Sequence, residues 1–256
     1  MRDLRPLVPV SEEGLDEIAR SLLEEIPPDD SGQLLNVRAN INRADYIKIP
    51  NTNVLIAKQE IHKGLKWGET IYALQENGLY MPPPGLFIPY FLNVKKAKEG
   101  KITLYDGNNA PISQSEAEDL YKYLTSSHRG GCWTWLDAYF SQGTGHLNLN
   151  LRTNHRVHIN SNGTKQLVYT ESPLEQCLNE DCYVALKFNS QGLATEKDKG
   201  KQEYKQGDNI KFWYPRENAV ARLYANSLRA YLSCLGDPEF SNSSLGVFAC
   251  AEGTSR

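Results

Sequence analysis

Residues 217–256 constrain the fold of this chain most strongly, because two kinds of residue alternate along them. One kind is small or apolar and suits a buried scaffold, whereas the other is a mixture without a chemical theme. In the window 230–235 the alternation has period two, which predicts a strand whose successive side chains point to opposite faces. The predicted scaffold residues are Val220, Ala221, Arg222, Ala225, Ala230, Leu232, Cys234, Pro238, Leu245, Gly246 and Val247.

The mixed residues form the candidate contact set. Within residues 230–235 they place tyrosine, serine and leucine on one face, a combination typical of adaptable binding surfaces. The alternative is a core strand packed on both faces, where such a mixture is ordinary. The candidate contact residues are Leu223, Tyr224, Asn226, Leu228, Tyr231, Ser233, Leu235, Phe240 and Asn242, with Ala219 as a further candidate.

A longer pattern connects the scaffold residues. From Val220 to Val247 the chain follows the frame VAR-x-x-A-x-S-x-R-A-x-L-x-C-x-x-DP-x-x-S-x-S-x-LGV. This frame resembles the C-terminal variable region of proteins diversified by diversity-generating retroelements. In that family a mutagenic reverse transcriptase copies a template repeat, randomises its adenines and replaces the end of the target gene. Randomised asparagine codons yield a restricted residue set, and every candidate contact residue belongs to it.

The resemblance implies a fold and a function. The implied fold is α+β: a C-type lectin fold, in its formylglycine-generating-enzyme-like variant, with an N-terminal elaboration. We expect an amphipathic helix and linker over residues 1–44 and the lectin-like domain over residues 45–256, with the variable region at about 217–256. The implied function is hypervariable, receptor-type ligand binding at a viral tail or virion surface, or at a cell surface.

The expected partner is a changing protein or surface ligand. Tyr224, Tyr231 and Phe240 are predicted anchors, because aromatic rings offer large contact area at low entropic cost. The leucines of the contact set favour a protein over a glycan, which is the alternative. A variable face gains from linked copies, so a homo-oligomer is predicted.

Charge and hydropathy exclude other partners. The net charge of −3 and the pI of about 6.0 do not favour nucleic acid or a membrane surface. No apolar run reaches the ~18 residues of a membrane span, so no membrane insertion is expected. The N-terminus is too acidic for a secretory signal peptide.

The alternative function is an enzyme that uses cysteine chemistry on the same scaffold. Cys234 and Cys250 are the thiols to consider, although both are predicted to be buried and inert. His155 and His158 lie three residues apart on a predicted strand, so they should point to opposite faces. We therefore expect no catalytic residues, no metal and no cofactor. A binding protein is the first hypothesis, an enzyme on the same scaffold is the second, and a purely structural component is the third.

Upstream of the variable region, periodicity predicts a mixed succession of elements. Residues 11–26 are predicted to form an amphipathic helix whose apolar stripe packs on its own domain. The alternative is that this helix mediates oligomerisation or docks to a larger assembly. Residues 29–44 are predicted to be a linker. A helix is predicted over residues 113–125, and Trp133, Leu136 and Phe140 predict a short further helix. Strands are predicted at residues 46–49, 54–57, 70–74, 87–94, 102–105, 147–151, 156–159, 166–169, 183–188 and 209–214.

Overall fold

The computed structural model describes residues 32–125, 132–200, 202–226 and 228–253. Over these residues the fold is mixed α+β, as the sequence predicts. The strands are β1 (Gln33–Leu34), β2 (Tyr46–Lys48), β3 (Val54–Ala57), β4 (Cys132–Gln142), β5 (Leu149–Ile159), β6 (Lys165–Pro173), β7 (Cys182–Ala185), β8 (Asn209–Trp213), β9 (Ala219–Ala225), β10 (Ala230–Gly236) and β11 (Cys250–Glu252).

A large sheet organises the molecule. Its strand order is β1-β5-β4-β9-β10-β8-β7, and β6 also pairs with β5. The pairing is antiparallel except between β10 and β8, which run parallel. A smaller sheet has the order β11-β3-β2 and ties the C-terminal strand to the start of the described chain. The β9–β10 hairpin, which carries most of the candidate contact residues, therefore lies in the interior of the large sheet.

Three helices lie in the described part of the chain: α1 (Trp67–Gln75), α2 (Pro84–Lys98) and α3 (Gln114–Thr125). Helix α1 starts where the Glu69 carboxylate accepts the backbone N–H of Lys66 at 3.0 Å. Helix α3 starts where the Ser113 hydroxyl accepts the N–H of Glu116 at 3.1 Å. Each contact satisfies an N–H group that the first helical turn leaves without a partner.

The two faces of the large sheet are covered differently. One face packs against α2 and α3, and the inward residues of β8, β9 and β10 belong to that core. On the other face, α1 and the segment leading to β11 cover β4, β5 and the start of β9. Over β8 and most of β9 and β10, no helix of the described residues lies on this second face, and side chains there, such as Lys211, Trp213 and Tyr231, are partly exposed.

Two strand predictions are wrong, because residues 70–74 belong to α1 and residues 87–94 belong to α2. Phe87, Ile88, Tyr90, Phe91 and Val94 are all buried. A short apolar run of this kind has the same pattern in a buried helix and in a buried strand. Pro89 lies inside the helix and lacks only one backbone donor.

Two further predictions are corrected. The short helix expected from Trp133, Leu136 and Phe140 is strand β4, which is buried on both faces and so shows no period of two. Its pairing with β9 shifts register between Trp135 and Tyr139, which also obscures the pattern. Residues 102–105 form no strand; Tyr105 makes only an isolated bridge to Pro111.

Other predictions are confirmed, in whole or in part. Helix α3, strands β2, β3 and β8, and the β5–β6 hairpin lie where the sequence predicts them. The strand expected at residue 147 begins at Leu149, because Leu147 and Asn148 have positive φ angles of 60° and 58°. The strand expected over residues 183–188 ends at Ala185. The predicted helix over residues 11–26 lies outside the described residues.

Candidate ligand-binding face

Strand β10 alternates as the sequence predicts from Ala230 to Cys234, and β9 alternates as well, although the sequence assignment of β9 did not. Ala221, Leu223 and Ala225 of β9 face the core beneath α2 and α3, together with Ala230, Leu232 and Cys234 of β10. The intervening residues lie on the opposite side of the sheet. We call that side the open face and define it by Trp133, Lys211, Trp213, Arg222, Tyr224, Tyr231, Ser233 and the adjoining loop residue Phe240.

A row of rings crosses the open face. Strand register places Trp133, Tyr224, Tyr231 and Lys211 side by side on four neighbouring strands. The Tyr224 and Tyr231 rings stack with centroids 4.9 Å apart, and Trp133 meets Tyr224 edge-on at 5.8 Å. Phe240 extends the row from the loop after β10, with its centroid 5.7 Å from that of Trp133. The rings therefore form one continuous aromatic surface.

Arg222 lies beside this row. Its guanidinium carbon is 5.5 Å from the Trp133 ring centroid and 5.3 Å from that of Phe240. Burial lowers the pKa of Arg222, because desolvation disfavours the charged form. Arg222 forms no ion pair within the described residues, and its Nε atom is buried without a hydrogen-bond partner there. The indole Nε1 of Trp133 is likewise buried and without a partner in that part of the chain.

The open face carries further cations. Arg229 lies 5.4 Å from the Tyr224 ring centroid, and Lys211 lies 5.6 Å from that of Trp213. Burial raises the pKa of the Tyr231 hydroxyl, while the charges of Arg222 and Arg229 lower it. Tyr231 therefore sits among cationic groups, which give this part of the surface a positive potential although the whole chain has a net charge of −3.

The structure places the candidate contact residues unevenly. Tyr224, Tyr231, Ser233 and Phe240 belong to the open face, although Tyr224 is only 8% and Ser233 only 3% exposed. Leu235 is partly exposed and lies in the bulge between Ser233 and Gly236, where the alternation of faces is interrupted. The outward orientation predicted for Leu223 is wrong. Adjacent strand residues cannot share a face, so with Tyr224 outward the Leu223 side chain enters the core, where it is 2% exposed. Ala219 is also buried, at 6% exposure.

The remaining candidates lie in loops at the margins of the open face. Asn226 shapes the β9–β10 turn, because its side-chain oxygen accepts the N–H groups of Leu228 and Arg229, each at 2.9 Å. Its amide also donates to the Tyr224 hydroxyl at 2.6 Å. Leu228 is 81% exposed, the highest value among the exposed large apolar residues.

Asn242 plays a comparable role in the loop after β10. Its side-chain oxygen accepts the Ser244 N–H at 2.9 Å, and its carbonyl accepts the Leu245 N–H at 2.8 Å. Both asparagines therefore hold turns that border the open face, in addition to presenting a partly exposed edge to solvent. Asparagine favours turns because its side chain bonds nearby backbone groups.

Sequence reasoning missed four groups on the open face, namely Arg222, Trp133, Lys211 and its strand neighbour Trp213. Arg222 was assigned to the scaffold, although the alternation that places Tyr224 outward also places Arg222 outward. Trp133 was assigned to a helix, so its position next to Tyr224 was not expected. Lys211 reaches the face through the parallel pairing of β8 with β10, a long-range contact that local patterns do not reveal.

The cysteines offer little support for cysteine chemistry. All five thiols are free, and only Cys177 is not fully buried. Burial raises the pKa of Cys177 to about 12 and raises those of Cys234 and Cys250 as well. A thiol with a raised pKa holds little nucleophilic thiolate at neutral pH.

A buried Asp137–His155 pair connects strands β4 and β5 under helix α1. Asp137 approaches the His155 ring nitrogen Nδ1 at 2.5 Å and accepts the His155 backbone N–H at 3.0 Å. Trp67 contacts the imidazole edge-on, with centroids 4.8 Å apart. Both residues are 1% exposed, so the pair links β4 to β5 inside the core. His158 is also buried, and its ring contacts Asn160 rather than His155.

Comparison with protein-family models, with curated protein sequences and with solved structures finds no match to this chain. Within the residues that the structure describes, no group of three or more histidine, cysteine or acidic side chains is arranged to hold a metal ion. None of the helices α1, α2 and α3 has the length and apolarity that a membrane crossing requires.

Proposed function

We propose that this protein is a ligand-binding, receptor-type protein whose open face is the recognition surface. In this proposal the C-terminal domain has a C-type lectin fold, and a diversity-generating retroelement varies the contact residues. The observation that carries the proposal is the continuous row of Phe240, Trp133, Tyr224 and Tyr231. Three of these four rings are residues that the sequence pattern selects as contact residues.

The hairpin supports the proposal because the residues proposed for contact differ from the residues that stabilise the fold. The inward residues of the hairpin are small or apolar and lie in the core under α2 and α3. Tyr231 and Leu235, in contrast, are partly exposed and hold no hydrogen-bonded turn. A protein that changes its contact residues needs such a division, because most damage from substitution comes from buried positions.

The proposed partner is a protein surface. Tyr224, Tyr231 and Phe240 supply rigid aromatic area, and Leu228 and Leu235 add apolar contact, a mixture that resembles the centres of protein interfaces. We place the protein at a virion tail or at a cell surface, where a changed face changes the target. Repeated copies in a homo-oligomer would multiply a weak single-site affinity.

A pair of displayed libraries tests the proposal. The first library randomises the exposed or partly exposed residues Leu228, Tyr231, Leu235 and Phe240 with asparagine-type degenerate codons. The matched control library applies the same codons to inward residues of the same hairpin, namely Ala221, Leu223, Leu232 and Cys234. Thermal unfolding of random clones and selection against several unrelated proteins are the two readouts.

We expect most clones of the first library to unfold within a few degrees of the parent protein and to yield binders. Most control clones should lose cooperative unfolding, because polar groups enter the core. If the two libraries lose folding equally often, or if the first library yields no binders, the open face is not a variable recognition surface.

A further inference from the structure

Two groups at the centre of the open face lie outside the set of varied positions. Trp133 belongs to β4, far upstream of residues 217–256, and Arg222 belongs to the constant frame of that region. Their neighbours Tyr224, Tyr231 and Phe240 all belong to the varied set. If the neighbouring residues vary while Arg222 and Trp133 stay the same, every variant of the surface retains the same interaction with its partner at these two residues.

Arg222 lacks an acidic partner within the described residues. Asp237 accepts the Glu239 N–H at 2.9 Å, and Glu239 pairs with Lys66 at 2.6 Å. Burial is the largest cause of the lowered pKa of Arg222, and the charges of Tyr231 and Asp237 act in the opposite direction. A partly buried guanidinium without an acceptor is costly, and a carboxylate is the acceptor that fits its planar donors.

The other cations of the open face reinforce this preference. Arg229 makes no ion pair in the part of the chain that the structure describes, and the Lys211 ammonium donates only to the backbone oxygen of Asp181, at 3.2 Å. Asp181 itself accepts the Tyr214 N–H at 3.1 Å and contacts Arg216 at 3.4 Å. The open face thus combines aromatic rings with cations that lack carboxylate partners, and its charge complements an acidic surface.

We propose that Arg222, which lies against the adjacent Trp133 and Phe240 rings, is a constant carboxylate-binding subsite for an aspartate or glutamate side chain of a protein partner. This inference rests on the proposed function, because it assigns a partner chemistry to the same face. The varied residues around the subsite then select among acidic protein surfaces. Leu228 and Leu235 of the same hairpin are exposed or partly exposed, and this apolar surface favours a protein segment over an acidic glycan.

The test is a titration of the intact protein with acetyl-triglutamate amide, followed through the NMR signals of the Trp133 indole and the Arg222 guanidinium. Acetyl-triglutamine amide at the same ionic strength is the neutral control. Arg222→Gln removes the subsite, and Lys122→Gln removes the same charge from the exposed side of α3, which packs on the opposite face of the sheet. Arg222→Lys keeps the charge but loses the planar donors.

We expect the acidic peptide, and not its neutral analogue, to shift the Trp133 and Arg222 signals. Arg222→Gln should weaken binding at least about tenfold, as loss of a charged hydrogen bond does, whereas Lys122→Gln should change it less than about twofold. Arg222→Lys should give an intermediate loss and serves as the variant to measure if Arg222→Gln does not fold.

Equal binding of the neutral peptide, or equal weakening by Lys122→Gln, would overturn the inference. The titration uses no selected partner, so its failure is distinct from a failure of the displayed libraries. If binders selected from the open-face library still bind after Arg222→Gln, the proposed recognition surface stands. In that case only the proposed preference for an acidic partner is wrong.

Discussion

Alanine substitutions at Leu223 and Leu228 remove the same atoms from two places in one hairpin, yet we expect very different losses of stability. Both residues belong to the sequence-derived contact set. Leu223 is 2% exposed and belongs to the core beneath α2 and α3, whereas Leu228 is 81% exposed in the β9–β10 turn. The pair therefore separates residues that hold the fold from residues that are free to vary.

The expected magnitudes follow from burial. Loss of the buried leucine methylene and methyl groups costs about 0.8 kcal/mol for each carbon, and the cavity left behind raises the total for Leu223→Ala to about 3–5 kcal/mol. Leu228→Ala should change the free energy of unfolding by less than about 0.5 kcal/mol. For a chain of 256 residues, about 2–4 °C of melting temperature corresponds to each kcal/mol, so Leu223→Ala should lower Tm by roughly 6–20 °C.

Urea unfolding followed by circular dichroism and by tryptophan fluorescence measures both variants against the parent protein. Coincident transitions with an unchanged m-value would show that the difference in midpoint is a difference in stability. If Leu223→Ala costs less than about 1 kcal/mol, or if Leu228→Ala costs as much as Leu223→Ala, our assignment of the two faces of β9 is incorrect.

Three further predictions concern buried groups. Asp137→Asn should cost about 3–5 kcal/mol of unfolding free energy, because it breaks the buried contact with His155. Asp181→Asn breaks the partly exposed pair with Arg216 and should cost less than about 1 kcal/mol. Thermal unfolding of the two variants measures this difference. Burial raises the pKa of the Glu60 carboxyl above the ordinary value of 4.5. Protonation of Glu60 therefore stabilises the folded state below that pH, and this stabilisation is lost as the pH rises through the folded-state pKa. The Tm of Glu60→Gln relative to the parent should therefore rise between about pH 4 and about pH 7, and a constant difference would contradict this. Alkylation at about pH 8 should modify the native thiols slowly, Cys177 included, and all five quickly after unfolding; rapid modification of a native thiol would favour the enzyme alternative.

Local patterns predicted the elements that are half-buried or capped. The β5–β6 hairpin follows from the turn at Asn160 and Gly163, where Gly163 has a φ of +84° and its N–H bonds the Asn160 carbonyl at 2.8 Å. Helix α3 follows from its amphipathic stripe and from the Ser113 cap. These signals are local, so the sequence alone reveals them.

Patterns failed where a short apolar run belongs to a largely buried element. The run from Phe87 to Val94 in α2 has the composition of a buried strand as well as of a buried helix, and β4 is buried on both faces, so the helical and strand periods cannot be distinguished there. Met81 and Phe91, which lie on either side of the proline run, are both buried in the core.

The open face was predictable in part. Alternation along β10 correctly placed Tyr231 and Ser233 opposite Leu232 and Cys234. It could not place Trp133, Lys211 or Phe240 beside them, because those contacts depend on long-range strand order and on the path of a loop. The residues that randomised asparagine codons can encode include both apolar and polar types, so membership in that set does not show whether a residue is buried. For this reason Leu223 was assigned to the wrong face.

The central claim is that the contact residues of the open face are the ones that vary. Sequencing the DNA downstream of the gene tests this claim most directly. We predict a near-copy of the bases that encode residues 219–256, beside a reverse-transcriptase gene, with mismatches at template adenines. The mismatches should fall in the codons of Tyr224, Tyr231, Leu235 and Phe240 and spare those of Arg222 and Leu232. The absence of such a repeat, or mismatches concentrated in the codons of core residues, would contradict the claim.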